Sequence, residues 1–518
     1  MIQLNALDYA AIGAYLLAVI LIGSWAARHR KTSSDDLFLA GRTLGPAAIG
    51  FSLFASNISS DTLLGLPGAA YRTGISAANY EWMAGVVLLF TAVFVLPVLI
   101  RARITTMPEL MERRFDPRLR KYLSVVTLFL SIVLDTAATL YAGALVLTTF
   151  IPGLGLWETC LGLALFTGAY SAAGGLRAVV YTDVLQALVL LSGAAILAWI
   201  VFGEFDHSWA ALEASVEPGT LSLIRPLDDP GVPWLGLVTG LPIVGFYYWT
   251  MNQYVAQRLL GARDIAAAGR ASVVAAALKL LPLFLMTLPG VMAISLLPGL
   301  EEPDQVFPTM VATYAPAGLA GLILAGLLAA LMSTCSSTLN SAATLITKDF
   351  IEARHPDLGQ ARLIRIGRIT TLVVTLIAAL WAPMIQHFEG LWAYLQQVFA
   401  YVASPLVAVF LMGLWSKRLG AGAALRGLVS GHALSAVLFV LEMLGFVPIH
   451  FTVIGGVLFV LTGTATWVWM QVLGERDRPG AARLAVVAKT DLPRPPKDVY
   501  IGVGIILALT AALLVALR

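Results

Sequence analysis

Fourteen apolar runs of about 20 residues, joined by short polar stretches, leave this chain one environment in which to fold. They lie near 7–27, 45–66, 79–101, 122–149, 156–175, 181–202, 234–254, 271–297, 315–346, 366–385, 391–415, 423–445, 451–473 and 499–517. A helix of that length crosses the hydrocarbon core of a bilayer and satisfies its own backbone, which lipid cannot do for it. Only 12% of the 518 residues are charged, against roughly a quarter in a soluble domain. The reading is an all-α polytopic membrane protein, 1–518 forming a single transmembrane domain with the lipid bilayer as its obligatory partner. Cys160 and Cys335 sit in apolar segments and match no disulfide or metal spacing. A net charge of +3 gives no basis for nucleic-acid binding, and no obligate protein partner is evident. The first run has no preceding basic residues and is followed by Arg28, His29, Arg30 and Lys31, so it reads as a spanning helix and not a cleaved leader.

With the N-terminus outside, every Lys and Arg except Arg72, Arg225, Lys279 and Arg518 falls in an inside loop or at an inside helix end. The groups at 101–121, 258–270, 348–368 and 476–497 all agree, which places both termini outside. The absence of a soluble extension points to a bacterial inner membrane. Lys279 stands nine residues beyond Arg270, about 13 Å deeper at 1.5 Å per residue. It is read as the sole Lys or Arg buried within the bilayer, with Glu81 as its counter-ion.

The ninth run carries the polar stretch Ser333-Thr334-Cys335-Ser336-Ser337-Thr338-Leu339-Asn340-Ser341 after an approach, 315–332, without charge. Ser333, Thr334, Ser336, Ser337, Asn340 and Ser341 share one broad helix face, with Ala330 above them. Lipid offers hydroxyls no partner, so that face looks inward; oxygen ligands without full charge suit Na⁺. The bland alternative is that each hydroxyl bonds back to a carbonyl one turn earlier. Two other runs are interrupted. In the second, Ala55-Ser56-Asn57-Ile58-Ser59-Ser60-Asp61-Thr62 lies midway; in the seventh, Gly236, Gly240, Pro242 and Gly245 precede Phe246-Tyr247-Tyr248-Trp249-Thr250-Met251-Asn252-Gln253. Breaks at matching places in two halves mark a transporter's binding site. Runs 2–6 (45–202) and 7–11 (234–415) then form two five-helix repeats of opposite orientation, flanked by an extra N-terminal helix within 1–44 and extra helices in 423–518.

Along the chain, Ser52-Leu53-Phe54-Ala55-Ser56-Asn57-Ile58-Ser59, Tyr80-Glu81-Trp82, Gly174-Gly175-Leu176-Arg177-Ala178-Val179, Tyr181-Thr182-Asp183, Asn252-Gln253-Tyr254 with Gln257-Arg258, and Leu339-Asn340-Ser341 appear in order. In these the chain resembles the sodium/solute symporter family, and within it the sodium/sugar (glucose/galactose-type) cotransporters. The resemblance implies a LeuT-type fold with two inverted five-helix repeats, and solute import by alternating access. It also implies a first Na⁺ held by the carbonyls of Ala55, Ile58 and Ala330 and the hydroxyls of Ser333 and Thr334. A second Na⁺ would lie between Asp183 and the hydroxyls of Ser336 and Ser337, with Ser333 shared; the structural alternative is that Asp183 and Thr182 cap a helix.

For the solute, the resemblance implies Asn57, Glu81, Lys279 and Gln396 as ligands, with Tyr248 and Trp249 as an aromatic gate beneath a sugar and Tyr80 stacking on its other side. An acid, an ammonium and two amides suit hydroxyls that both donate and accept. Two departures stand out. Thr62 replaces a Gln of bacterial relatives or a His of animal ones, and Gly245 replaces an Asn of the bacterial type. Both remove sugar contacts and leave room, so a sugar or sugar-like polyol is implied without its identity. The competing readings are a sodium symporter for an amino acid, sialic acid or carboxylate, and a passive channel or sensor on the same fold. An enzyme is not expected: nearly all the histidines lie in loops or at helix ends, and no catalytic constellation emerges at depth.

Overall fold

The computed structural model describes residues 5–28, 33–151, 153–387, 391–416, 418–474 and 492–518. Each of the fourteen apolar runs forms helix. Among the described residues eleven are long and apolar enough to span unaided, and Leu156–Ala169 is a shorter twelfth. The remaining two, the second and seventh, are the ones expected to break.

In the second span a helix Pro46–Asn57 starts on a proline, ends where Ile58 turns to φ −78°, ψ 83°, and is followed by Ser60–Thr73. The Ser/Asp-rich sequence here offers the backbone side-chain partners in place of helical ones. In the seventh, Gly240–Phe246 passes through a widened π turn, Tyr247–Met251, and stops at Asn252 (φ −63°, ψ 127°) before Gln253–Leu260 resumes. A third break was not expected. The eighth span halts at Lys279, just after Ile265–Leu278, and restarts at Leu283. Pro282 accounts for it, because proline disfavours helix in the residue before it and donates no hydrogen bond.

The fifth and sixth spans form one run, Leu156–Gly203, turned at a single residue, Gly175, with φ 63° and ψ −168°. A Cβ there would stand 2.6 Å from the Leu37 carbonyl oxygen. That run, the first span and Pro46–Asn57 all pack on the ninth span, Leu319–Leu345, whose residues are buried almost without exception. Apolar side chains such as Leu17, Leu21, Leu372, Leu376, Val437 and Ile501 face outward, as lipid contact requires. Groups placed together by charge meet: Arg120 pairs with Asp349 at 2.8 Å and Arg270 with Asp498 at 2.6 Å. Residues 29–31 and 475–491, part of the basic groups assigned inside, lie outside the described residues.

Only glycine occupies the Gly175 backbone region without strain, which costs other residues about 1–3 kcal/mol. Gly175→Ala is expected to lower the apparent melting temperature of the detergent-purified protein, whereas Gly13→Ala, with open space around it, is expected to leave it unchanged.

Candidate functional site

The break in the second span exposes polar backbone in the middle of the bundle, and the ninth span answers it. Thr334 Oγ1 donates to the Ser56 carbonyl at 2.8 Å, so this hydroxyl reaches across and does not bond back. Among the described residues neither the Ala55 nor the Ile58 carbonyl receives a hydrogen bond. Ser333 and Thr334 thus stand opposite two free carbonyls, with Ala330 one turn along the same buried helix. The back-bonding alternative holds for Ser336, Ser337 and Thr338, which donate to the carbonyls of Ser333 and Thr334 at 2.5–3.0 Å.

One helix turn away lies a second polar centre. Asp183 is wholly buried in the sixth span and caps nothing, because the helix runs through it. Its Oδ1 accepts from Ser333 at 2.7 Å, and its Oδ2 from Ser56 at 3.2 Å and from Ser52. Its cation is Arg258, whose Nη2 donates to Oδ2 at 3.0 Å and whose Nε donates to Ser52 at 2.6 Å. The guanidinium also donates to Ser337 and to the Tyr254 carbonyl. This corrects the assignment of Lys279 as the sole buried basic residue: the Arg258 side chain is 1% exposed. The segment Gln253–Leu260 is not a loop beyond the membrane end but a helix folded back into the core after the Asn252 break. Ser336 turns away from Asp183, so of the hydroxyls assigned to that carboxylate only Ser333 and, through Arg258, Ser337 are engaged.

The solute residues converge. Asn57, Thr62, Tyr80, Glu81, Tyr248, Trp249 and Gln396 all line one cavity of about 80 Å³ open to the centres of water molecules. Lys279 does not line the cavity but lies behind it, fully buried, its ammonium donating to the lining residues Glu81 and Asn57 and sitting 4.8 Å over the Trp249 ring. The break at Lys279 aims the ammonium at this pair and not along the helix. Tyr248 meets Phe399 edge-on with ring centroids 6.0 Å apart and shares a hydroxyl–hydroxyl hydrogen bond with Tyr254, forming the aromatic floor. Gly245 does less for cavity size than its lack of a side chain implies. Its Cβ would stand 3.3 Å from Val87, so the glycine chiefly lets the seventh span close on the third. Thr62 donates its hydroxyl to the Asn57 carbonyl at 3.1 Å.

Several polar residues of the site carry no assignment from the sequence, among them Ser52, Ser56 and Arg258 beside Asp183, and Asp61 and Asp135 on the cavity wall. The two aspartates do present a signal, a carboxylate inside an apolar run. Arg258 presents none, because only the fold reveals that its segment turns inward.

Breaking a buried ion pair by removing one partner costs about 3–5 kcal/mol, since the other charge is stranded. Arg258→Gln is therefore expected to destabilise the protein strongly, and Arg258→Gln with Asp183→Asn to recover much of the loss. Melting curves of the two single variants and the double variant give the coupling; additive losses would mean the pair is not energetically closed.

The family model for the sodium:solute symporter family matches residues 37–431. The sodium/glucose cotransporter of Vibrio parahaemolyticus is 35% identical over 82% of this chain and 84% of that protein. The human sodium/myo-inositol cotransporter 2 is 34% identical over 85% of this chain and 71% of that protein. Among solved structures, a Na⁺-coupled sialic acid symporter in a substrate-bound outward-open state matches with a TM-score of 0.78 at 24% identity, covering 90% of this chain and 98% of that one. At that identity the likeness speaks for the fold, which is the LeuT-type fold expected. With the family model spanning most of the chain and curated relatives above 30% identity along nearly all of it, this protein belongs to the sodium:solute symporter family.

Proposed function

We propose that the protein is a sodium-driven secondary active symporter that imports a sugar or sugar-like polyol by alternating access. The observation that carries this reading is the adjacency of two sites on one broken helix. Asn57 reaches into the solute cavity, while the carbonyl of its neighbour Ser56 meets the ninth span at Thr334 and that of Ile58 receives no hydrogen bond. Thr334 borders both. An ion bound by the carbonyls of Ala55, Ile58 and Ala330 and the hydroxyls of Ser333 and Thr334 would fix the break. The fixed break in turn positions Asn57, and through it Lys279 and Glu81, for the solute. In this reading 45–202 and 234–415 are the inverted repeats, both termini lie outside, and the membrane is a bacterial inner membrane.

The relatives named for glucose and myo-inositol support a polyhydroxylated solute, and so does a cavity lined by carboxylates, amides and hydroxyls with the Lys279 ammonium behind them. A sialic acid, an amino acid or another carboxylate fits it less well. Glu81 already takes the Lys279 charge, and Asp61 and Asp135 line the same cavity and would repel an anion.

The coupling we infer is two Na⁺ per solute, the second at Asp183, Ser333, Ser336 and Ser337. Arg258 stands in that place as the carboxylate's cation, so entry of the ion requires the guanidinium to withdraw and Ser336 to turn. The gain is large. At about 100 mV each charge contributes ~2.3 kcal/mol, and a tenfold gradient adds ~1.4, so one ion supports accumulation of a few hundred-fold and two roughly 10⁵-fold.

In proteoliposomes, uptake of labelled hexose or inositol is expected to rise steeply with an inward sodium gradient and to fall at least about tenfold in Lys279→Ala; equal uptake in potassium would overturn the symport reading for these solutes. Thr334→Ala is expected to abolish sodium stimulation. Asp183→Asn is expected to bring the sodium Hill coefficient toward one, and an unchanged charge-to-solute ratio would confine Asp183 to its ion pair.

A further inference from the structure

Three buried carboxylates, a fourth that is partly buried and two buried basic side chains surround the broken helices, and the charges do not close. Glu81 has Lys279 and Asp183 has Arg258. Asp61 and Asp135, both on the wall of the solute cavity, have no cationic side chain among the described residues. Asp61 accepts from Thr139 at 3.2 Å and from Ser59. Asp135 is the barer of the two. It lies on a π turn of the fourth span, Leu130–Thr136, is 9% exposed, and its Oδ2 is buried without a hydrogen-bond partner. The Asn252 amide is the neighbouring donor, near enough to act on the carboxylate though outside hydrogen-bond geometry, and it brings no charge to balance it. The two aspartates line the same cavity, and Thr139, one turn beyond Asp135, bonds to Asp61.

A buried, unpaired carboxylate costs several kcal/mol. Placed on the wall of a site that fills and empties, it need bear that cost only while the site is empty. A neutral sugar would offer Asp135 a hydroxyl donor but leave the charge count unbalanced. A primary ammonium supplies the positive charge together with three donors, which suits an acceptor-only group with an idle oxygen. A divalent cation fits less well, because no third acidic, His or Cys side chain completes a cluster among the described residues.

Resting on the reading of this cavity as the solute site, we propose that Asp135, backed by Asp61, is a subsite for a primary ammonium carried by the solute. The preferred solutes are then amino sugars or amino polyols, with Asn57, Glu81, Lys279 and Gln396 taking the hydroxyls.

The test is calorimetric titration of the purified protein, in sodium and at mildly acidic pH, with glucose, glucosamine, N-acetylglucosamine and ethanolamine. Glucosamine is expected to bind about tenfold or more tighter than glucose, equivalent to ~1.4 kcal/mol. N-acetylglucosamine, which keeps the hydroxyls and loses the charge, is expected to forfeit that advantage. Asp135→Asn is expected to bring the glucosamine-to-glucose ratio to about one. Equal affinity for the two sugars in the unaltered protein overturns the proposal, and this comparison stands even if the variant does not fold. So does a change in sodium dependence with the sugar ratio intact in Asp135→Asn, which would make the missing cation Na⁺. Glucose affinity that climbs on acidification with no amine preference would make it a proton and would overturn the proposal too. Binding of ethanolamine that depends on Asp135, with no sugar bound, would sink the sugar reading and uphold the ammonium subsite. Failure of all four to bind would sink both.

Discussion

A carbonyl freed in the middle of a lipid-embedded helix has nowhere to turn but to the protein or to what the protein carries. That constraint organises the structure. The second span breaks at Ile58, the ninth span brings Thr334 to the Ser56 carbonyl, and the carbonyls of Ala55 and Ile58 stay unfilled beside it. The polar face of an otherwise apolar helix and the irregular backbone of another are two halves of one solution. Around them the fifth and sixth spans, the first span and Pro46–Asn57 enclose the ninth, so that neither half meets lipid.

The same constraint governs the charges. Lys279 and Glu81 close on each other at one side of the break, with Asn57 between them and the Trp249 ring beneath. Arg258 and Asp183 close at the other, with Ser52, Ser56, Ser333 and Ser337 filling the remaining positions. Each pair bridges helices from different parts of the chain, and each would be costly to open without a replacement charge. An ion or a solute that supplies such a charge can therefore exchange one closed arrangement for another at modest net cost. That is the kind of bistability that alternating access requires.

Each break follows from local chemistry that acts over a few residues. At Ile58 the Asn57 carbonyl is taken by the Ser59 N–H and the Thr62 hydroxyl in place of a helical amide, an asparagine ends the π turn at Asn252, and Pro282 stops the helix at Lys279. The first two were legible because polar or glycine residues interrupt an apolar run. The third was not, because a proline within an apolar run is also compatible with an unbroken, kinked helix. At this halt the Lys279 ammonium donates to Asn57 and Glu81, which line the cavity.

Length and hydropathy alone determined the fourteen spans and their helical state, since lipid permits no other way to satisfy the backbone over 20 apolar residues. The order of motifs determined the family, and residue type singled out Ser333, Thr334, Asn57, Glu81 and Lys279, because polar groups at depth must have a purpose or a partner. Which partner each one takes was decided only by the tertiary structure. Asp183 had two meanings in the sequence, a helix cap or an ion ligand, and folding gave it a third by carrying Arg258 back from the far side of Asn252. Ser336 and Ser337 read alike as neighbours on one face, and both bond back to the Ser333 carbonyl, yet only Ser337 also meets the guanidinium. Asp61 and Asp135 stand 74 positions apart and share a cavity wall only once the second and fourth spans have packed. Hydropathy specifies depth, one residue at a time; neutrality belongs to pairs, and pairs exist only after the chain has folded.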